Sequence, residues 1–431
     1  MLRAGLLMKP STFRTCLLIA ALSSAGSGCG DSQPATGSDG AGTRDAASDT
    51  GPAPDASADT GSGSDGPTDT CPRPPRAADG ARKVAVSHPY GAGGQSASDF
   101  ELLDLSADGA LTTSGARFAM GHATQGRIQF TPDGKVGLLA QDDGSIGAFA
   151  VDPSGAARVI HQSFRGAFYA SSIVMDPSGQ KAYVLDTEWR NSGGGIYQID
   201  IACDGTLVDR GLWAPAKLAY SMLLVPGNAD RVAVAASDIL SATMPGPNAF
   251  LLSRSPTPTL LGSVDAFGDN DAIVPDAALT PDGRFFLIAD NNEFSAHSNR
   301  IAVVDLSVQP LRAVQVLSPL QDPVAVVPSP AGDALLVASG YGNALFVVGY
   351  HPEATPPFVV TGEVTYRGGR PQLPGPAVLI ARGMLAGRVL VAETGGLRQV
   401  QFAGGGMVQD LGVTTIGSGS TALIGALGVQ P

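Results

Sequence analysis

The chain has 431 residues and a formal net charge of −12, and only 15% of its residues are charged. The 39 acidic residues outnumber the 27 basic ones, which argues against a nucleic-acid-binding protein, because such proteins need basic surface to neutralise phosphates. Gly and Pro supply about a fifth of the residues, which is high for a globular protein but too low for a wholly disordered chain. No apolar run beyond the first thirty residues could cross a bilayer, so a multi-span membrane protein is excluded.

Residues 1–28 have the layout of an export signal. Arg3, Lys9 and Arg14 give a positively charged start, the apolar run CLLIAAL follows from Cys16, and small residues come next. The apolar run is too short for a transmembrane helix, so the pattern predicts a secretory signal peptide.

The signal ends at Ser27-Gly28-Cys29, which resembles a bacterial lipobox with Gly26 where that motif usually has leucine. The resemblance implies that cleavage leaves a lipidated Cys29 at the new N-terminus. Ordinary cleavage after Ala25, with Cys29 as an incidental thiol, is the alternative. We therefore expect an exported protein in the periplasm, on the outer membrane or at the cell surface, whose only membrane contact is the lipid anchor.

Residues 29–70 are predicted to form a disordered acidic linker. From Gly30 to Thr70 no apolar residue is larger than alanine, and there are eight aspartates and a single arginine. Such a segment cannot offset the entropy lost on ordering by burying apolar surface. A flexible stalk behind an anchor cysteine suits a spacer from a membrane.

Residues 71–431 contain one repeat in seven copies. Each copy has a turn of small residues, then a basic or polar residue, then a run rich in Val, Leu, Ala and Ile. Landmarks at these turns lie 45 to 55 residues apart. The copies include PDGKVGLLA from Pro132, PSGQKAYVL from Pro177 and PDGRFFLIA from Pro281. A turn of this kind between two β-rich runs predicts a β-hairpin.

Further strand-like runs flank most copies, as in RIQFTP from Arg127 and SIGAFAVD from Ser145. Four short strands per unit of about 50 residues are typical of a β-propeller blade. The first copy has no innermost strand before Gly80, and the strand-like run STALIGALG from Ser420 belongs to no later blade. The sequence therefore predicts an all-β, seven-bladed β-propeller whose ring is closed by the C-terminal strand in the first blade.

The blades resemble two groups of bacterial propellers. The segment QDPVAVVPSPAGDALLVASGYGNALFVV from Gln321 is similar to the YVTN-type repeats of surface propellers. The segment GHATQGRIQFTPDGKVGLLAQDDGSIGAFAVDPSG from Gly121 is similar to lactonase-type seven-bladed propellers. The resemblance covers about 80–431 and implies the fold. It implies no single function, because propellers host many unrelated activities.

The lactonase-type resemblance implies one candidate active site. That family is thought to use His, Glu and Arg side chains around the channel mouth for proton transfer and anion stabilisation. In this chain they are His122, Glu188 and Arg190. The roles suit these side chains, because His titrates near neutrality and Arg can bind a carboxylate through two N–H groups. Thr124 stands where the family has the second His of a His-x-His run.

Clustered carboxylates give a second candidate, a cation site. Asp269, Asp271 and Asp276 lie in GDNDAIVPD, and Asp290 lies in ADNNEF. Carboxylates and amides are hard oxygen ligands that suit Ca²⁺. The alternative is that Asp and Asn occur there because they favour turns. The five histidines have no zinc-binding spacing, so zinc is not expected, and the sequence predicts either no cofactor or Ca²⁺.

Cys71 and Cys203 are the cysteines outside the predicted signal and anchor. An even pair in an oxidising compartment predicts a disulfide, and two unrelated thiols are the alternative.

The sequence favours a binding or scaffold module at the cell envelope, because an anchor and a tether precede a repeat domain whose catalytic set is incomplete. The partner would be a protein, peptide or glycan at the channel face, and we expect a monomer. The alternative is a lactonase-type enzyme that uses His122, Glu188 and Arg190.

Overall fold

A computed structural model describes residues 71–91, 94–161, 170–187, 194–216, 218–238, 247–254, 257–269, 271–292, 295, 299–318, 320–417 and 423–431. The predicted signal, the anchor residue Cys29 and the linker lie outside these ranges, as do Glu188 and Arg190. Within the described ranges, no helix has the length and apolar character needed to cross a membrane.

The described residues form 28 β-strands. In chain order they are β1 (Arg82–Tyr90), β2 (Ser96–Leu105), β3 (Leu111–Ala119), β4 (Gln129–Phe130), β5 (Val136–Ala140), β6 (Ile146–Val151), β7 (Ala157–His161), β8 (Ala170–Met175), β9 (Lys181–Asp186), β10 (Gly195–Ile201), β11 (Leu207–Ala214), β12 (Ala219–Leu224), β13 (Arg231–Ala236), β14 (Ala249–Ser253), β15 (Thr259–Val264), β16 (Ala277–Leu279), β17 (Phe285–Asp290), β18 (Arg300–Asp305), β19 (Arg312–Leu317), β20 (Pro323–Pro328), β21 (Ala334–Ser339), β22 (Ala344–Tyr350), β23 (Phe358–Glu363), β24 (Ala377–Ile380), β25 (Arg388–Glu393), β26 (Gly396–Gly404), β27 (Met407–Thr415) and β28 (Leu427–Val429).

These strands form seven four-stranded antiparallel sheets, the blades of a propeller. Blade 1 has the order β28-β1-β2-β3, and blades 2 to 7 are β4–β7, β8–β11, β12–β15, β16–β19, β20–β23 and β24–β27. The first strand of each order lies innermost, where it contacts the innermost strands of neighbouring blades around a central channel. The predicted seven-bladed propeller is confirmed.

The core lies between the blades. Seven apolar clusters fill the ring, and each joins two neighbouring sheets. In β1, Val84 and Val86 pack towards blade 7, whereas Ala85 packs towards blade 2. Successive side chains of a strand point to opposite faces of its sheet. A strand in a sheet that is packed between two neighbouring blades therefore buries the side chains of both faces. This explains the continuous apolar runs of the second strands, which the sequence shows instead of strict alternation.

The C-terminal strand closes the ring, as the sequence predicts. Val429 of β28 pairs with Val84 of β1, and Leu427 pairs with Val86. The Ile128 amide of blade 2 donates to the Leu427 carbonyl over 2.9 Å, which joins the last strand to the following blade. The backbones of Gly425 and Ala426 also hydrogen-bond to Ser87 of β1, so the contact with the first blade covers the end of the predicted run.

Tight turns join the innermost strands to the second strands. In blade 2 the Thr131 hydroxyl donates to the Asp133 carboxylate over 2.6 Å, and Gly134 has φ of 70°. A side chain at that φ would be strained, so the turn requires glycine. Gly283 of blade 5 occupies the same position with the same φ. The Pro-Asp-Gly turns of the sequence are therefore the hairpins that they predict.

The outermost strand of each blade is interrupted by a β-bulge. The register shifts between the third and fourth strands in all seven sheets. A bulge twists an edge strand and disrupts the row of unpaired backbone groups that a second sheet could extend.

Cys71 and Cys203 are not joined in the structure, where Cys71 is half-buried and Cys203 is exposed. Their segments nevertheless adjoin. The Gln180 side chain donates to the Cys71 carbonyl over 2.9 Å, and an Arg73 N–H donates to the Ala202 carbonyl over 2.7 Å. The disulfide stays a prediction for the oxidised protein.

Candidate functional site

The two faces of the ring carry different connections. The lower face carries the turns between the innermost and second strands, such as the one at Gly134. The upper face carries the loops that follow each second strand and the connections between blades. His122 lies in the connection between blades 1 and 2, and Asp290 ends the second strand of blade 5. The candidates from the sequence that the structure describes therefore lie on the upper face or at the upper end of the channel.

His122 is bound through both ring nitrogens. Its Nδ1 lies 2.7 Å from an oxygen of Asp142, and its Nε2 lies 2.9 Å from the Pro89 carbonyl oxygen. Asp142 follows the second strand of blade 2, and the Thr124 amide donates to both of its carboxylate oxygens over 3.1 Å. The hydrogen bond that His122 donates to Asp142, opposed by burial, raises the pKa of His122 above its usual value of 6.5.

These contacts determine the protonation of the ring. A carbonyl oxygen can only accept a hydrogen bond, so Nε2 of His122 must carry a proton. The charged Asp142 carboxylate likewise accepts from Nδ1. His122 is therefore favoured as an imidazolium that donates both N–H groups, and it has no nitrogen lone pair available to remove a proton from a substrate.

The other two members of the predicted catalytic set, Glu188 and Arg190, lie outside the described residues. The described chain reaches Thr187, directly after β9, and resumes at Gly194. Both flanking residues belong to the upper end of blade 3, and the catalytic set of three residues stays a prediction.

Three of the four predicted metal ligands bind an arginine. Arg300, on the third strand of blade 5, donates from Nη2 to Asp269 over 2.8 Å and from Nε to Asp290 over 2.9 Å. Asp271 lies 3.4 Å from the same guanidinium. The Phe267 ring lies 4.5 Å from the guanidinium carbon and provides a cation–π contact. Burial raises the pKa of Asp290.

The four predicted Ca²⁺ ligands do not form one cluster in the described structure, and Ca²⁺ binding itself stays a prediction. The guanidinium of Arg300 occupies the centre of the carboxylates Asp269, Asp271 and Asp290, and the fourth ligand, Asp276, lies elsewhere. Among the described residues, no group of three or more His, Cys, Asp or Glu side chains could hold a metal ion. Turn-forming aspartates that neutralise a buried arginine explain the acidic segments.

Asp276 forms an ion pair across the central channel. Arg127 heads the innermost segment of blade 2, and its Nη2 donates to Asp276 of blade 5 over 2.7 Å. The Val326 amide of blade 6 donates to the same oxygen over 2.8 Å. Burial raises the pKa of Asp276, and the charge of Arg127 opposes that shift. The pair bridges two blades at the upper end of the channel.

Two cavities lie along the channel below this pair. The larger, called here the main cavity, encloses about 340 Å³ and is lined largely by apolar residues of blades 4 to 7, such as Leu223 and Val327. The smaller, called here the arginine cavity, encloses about 210 Å³ and is lined by Arg82 and Arg382 among others. Both cavities are lined by Arg127.

A buried carboxyl follows the second strand of blade 4. Asp238 accepts a hydrogen bond from the Asn248 amide over 2.7 Å, and its own amide donates to the Ala272 carbonyl over 3.0 Å. Burial raises the pKa of Asp238 to about 6, and the carboxylates of Asp265 and Asp269 add to that shift. A group that titrates near neutrality on the upper face is a candidate proton donor or acceptor.

Sequence reasoning missed Arg127 and Asp238 as candidate site residues. Arg127 could have been found, because it stands at the head of an innermost run whose next residues are mostly apolar. Asp238 carries no such local signal, because its environment is completed by Ala272 of the segment that leads to blade 5.

Comparisons with known proteins show the fold. No family model and no curated protein matches the chain. A periplasmic gluconolactonase from Pseudomonas aeruginosa has a similar structure with a TM-score of 0.57 and 16% identity, covering 82% of this chain and 99% of that protein. A candidate 6-phosphogluconolactonase from Bacteroides fragilis has a TM-score of 0.58 and 12% identity, covering 82% of this chain and 99% of that protein. A protein of unknown function from Desulfotomaculum acetoxidans has a TM-score of 0.55 and 11% identity, covering 80% of this chain and 98% of that protein. The chain shares its propeller fold with these structures.

Proposed function

We propose that this chain is an exported, lipid-anchored β-propeller that binds a ligand at the upper face and serves as a binding or scaffold module at the cell envelope. Its partner is a protein, peptide or glycan. The observation that carries the proposal is that both ring nitrogens of His122 are already in contact with acceptors, Nδ1 with Asp142 at 2.7 Å and Nε2 with the Pro89 carbonyl oxygen at 2.9 Å. A general base needs a lone pair at the reacting atom, so this histidine is suited to holding Pro89 and Asp142 in place.

The charges of the upper face support the same proposal. Arg300 is neutralised by Asp269 and Asp290. In blade 7, Arg398 is fully buried and binds Glu393 and Asp410. Cations held in this way stabilise loop conformations, and they do not offer an uncompensated charge to a reaction intermediate. Rigid loops at a channel mouth suit recognition of a partner.

The test is an activity assay on the purified mature protein. Hydrolysis of gluconolactone is followed by acid release at constant pH, with and without protein. We expect no acceleration above the spontaneous rate. Turnover that falls on substitution of Glu188→Gln would contradict the proposal. A thermal-shift screen of cell-wall glycans and peptides on the same protein seeks the partner, because a ligand of the native state raises its melting temperature.

Lactone hydrolysis is the second candidate. It is supported by the similarity of fold to proteins named as gluconolactonases and by the buried Asp238, whose raised pKa suits proton transfer. It predicts turnover that depends on an ionisation near pH 6 and that is lost in Asp238→Asn. A matched Asp230→Asn variant, an exposed change in the same blade, should keep the activity.

The anchor and the disulfide have separate tests. Mass spectrometry of the membrane fraction should find a diacylated Cys29, and Cys29→Ser should release the protein from membranes. The oxidised protein should weigh about 2 Da less than the reduced one, and Cys71→Ser should remove this difference and about 2–4 kcal/mol of stability. Two free thiols in protein purified without reductant would show that Cys71 and Cys203 are unrelated.

A further inference from the structure

The arginine cavity extends along the channel from Arg127 to the lower end, where Arg82 and Arg382 line it. It encloses about 210 Å³, and Arg82, Arg127 and Arg382 line it together with apolar residues such as Phe130 and Ile380. No Asp or Glu side chain is among the described residues that line it. Arg127 is neutralised by Asp276. The other positively charged side chains that line the cavity are those of Arg82 and Arg382.

Arg82 differs from the other buried arginines of the described chain. Arg73, Arg300 and Arg398 each have a carboxylate within 3.4 Å. Arg82 is 3% exposed, and its Nη2 donates to two neutral carbonyl oxygens, those of Ala78 at 2.6 Å and Arg382 at 3.0 Å. Its Nε is buried and has no hydrogen-bond partner in the described structure. Burying a guanidinium without a counter-charge costs several kcal/mol.

The surroundings of Arg82 add to this cost. Burial and the positive charges of Arg76 and Arg382 lower the pKa of Arg82, and the Asp79 carboxylate opposes the shift only weakly. Asp79 already accepts a hydrogen bond from the Met384 amide over 3.0 Å. Nη1 of Arg76 is also buried without a partner in the described chain. Three guanidinium groups thus converge with donors left over, which is the arrangement that binds an anion.

We propose that the arginine cavity is a binding site for a small anion, in which Arg82 and Arg382 hold the carboxylate or phosphate group of a small molecule. The rest of the ligand lies against the apolar wall at Phe130 and Ile380. Arginine presents a planar set of N–H donors that fits both kinds of anion. Because this site is at the lower end of the channel, it does not depend on the function of the upper face.

The test measures thermal unfolding of the mature protein with inorganic phosphate, with malonate and with the neutral compound glycerol, all at one ionic strength set with NaCl. We expect phosphate or malonate to raise the melting temperature by about 2 °C or more at saturation, and equal glycerol concentrations to have no effect. A response to phosphate alone identifies a phosphoryl ligand, and a response to malonate alone identifies a carboxylate ligand.

Two variants locate the effect. Arg82→Met keeps the length of the side chain without its charge, so it should fold at least as stably as the parent and lose the anion response. Arg382 is exposed, and Arg382→Gln should fold normally and weaken anion binding by about tenfold in titration calorimetry. Arg312→Gln makes the same change at an exposed position of the outer strand β19 and should bind as the parent does.

Several results would overturn the proposal. One is the absence of any response to both anions in the parent protein. Another is a response of equal size when NaCl alone is added, which would reflect general screening. A third is an unchanged anion affinity in Arg382→Gln, which would place the anion elsewhere even if Arg82→Met does not fold.

Discussion

Blades 2 and 5 both place a carboxylate–cation pair on the upper face, but the cations differ in chemistry. In blade 2, Asp142 binds His122, whose side chain is 27% exposed. In blade 5, Asp290 binds Arg300, whose side chain is 9% exposed. Arginine keeps its charge at every accessible pH, whereas histidine can lose it near neutrality. The arginine pair is thus a permanent structural element, and the histidine pair is conditional on pH.

This difference shows why polar loop residues are hard to interpret from sequence. The acidic segment of blade 5 has the composition of a cation site, yet its cation is Arg300 of the same blade. The histidine of blade 2 has the chemistry of a catalytic base, yet its nitrogens are already bound. In both blades the partner decides the role of the residue, and the residue type alone does not.

The largest effect is expected from removing Arg300, the permanent cation of blade 5. Arg300→Met leaves the fully buried Asp290 without its counter-charge, and we expect the free energy of unfolding to fall by about 3–5 kcal/mol. Urea unfolding at pH 7 measures the loss. Arg312→Gln, an exposed change in the neighbouring strand, should stay within about 0.5 kcal/mol of the parent. A loss below about 1 kcal/mol for Arg300→Met would mean that the blade 5 pair is not structural.

The Asp238 carboxyl of blade 4 provides a third case for the comparison, because it accepts a hydrogen bond from the Asn248 amide where the other two carboxylates bind a cation. Its folded pKa of about 6 lies above the ordinary value of 3.8. The folded state therefore keeps the proton to higher pH than the unfolded state, and stability falls as pH rises from about 4 to 6. Asp238→Asn should remove this dependence, gaining about 2–3 kcal/mol relative to the parent between pH 4 and 7.

The measurement for Asp238 is the difference in unfolding free energy between variant and parent at several pH values. Using the difference cancels the titration of all other groups. Asp230→Asn, at an exposed position of the same blade, should give a difference that does not change with pH. A flat profile for Asp238→Asn would show that its carboxyl ionises normally in the folded protein.

Removal of the carboxylate in blade 2 should have a smaller effect. Asp142→Asn keeps an oxygen that can accept from Thr124, but it loses the charge that His122 binds. We expect a loss of about 1 kcal/mol at pH 6, since the pair is partly exposed and solvent screens it. Chemical unfolding of this variant beside the exposed control Asp152→Asn measures it. A loss as large as that of Arg300→Met would remove the distinction between the two blades.

The fold was predictable because its signals are local. A Pro-Asp-Gly turn and the apolar run after it define a hairpin within a few residues. Seven such units account for every blade except the innermost strand of the first one, which must come from elsewhere in the chain. The closing strand was predicted to come from the C-terminal run, and the structure confirms that origin. Residues 427–429 pair with β1, and the backbones of Gly425 and Ala426 also hydrogen-bond to Ser87, so the closing contact lies within the predicted run and just after it.

The candidate site was only partly predictable because its contacts are distant in sequence. Arg127 and Asp276 are 149 residues apart, and their pairing depends on the width of the channel. His122 was found from a resemblance, but its bond to the Pro89 carbonyl joins two blades. Periodicity reveals which residues are buried, and it does not reveal which cation meets which carboxylate.

The pH dependence of His122 gives the smallest expected effect and the sharpest test of the comparison. Its folded pKa is raised above 6.5, chiefly by Asp142, so the folded state binds the proton more tightly than the unfolded chain. The resulting stabilisation is complete below the unfolded pKa of about 6.5 and is lost as pH rises through the folded pKa. His122→Gln should therefore be less stable than the parent at pH 5.5, by up to about 1 kcal/mol, and closer to it at pH 8.5.

Titration by NMR separates this interpretation from the catalytic one. The His122 ring should titrate above 6.5 in the parent and nearer to 6.5 in Asp142→Asn, because the carboxylate is the main cause of the shift. A general base that works at neutral pH must instead be substantially neutral there, with a folded pKa no higher than about 7. A low pKa in the parent would free a ring nitrogen at pH 7 and favour the lactonase hypothesis, whereas a raised pKa leaves the blade 2 pair as a stabilising contact that weakens only in alkaline solution.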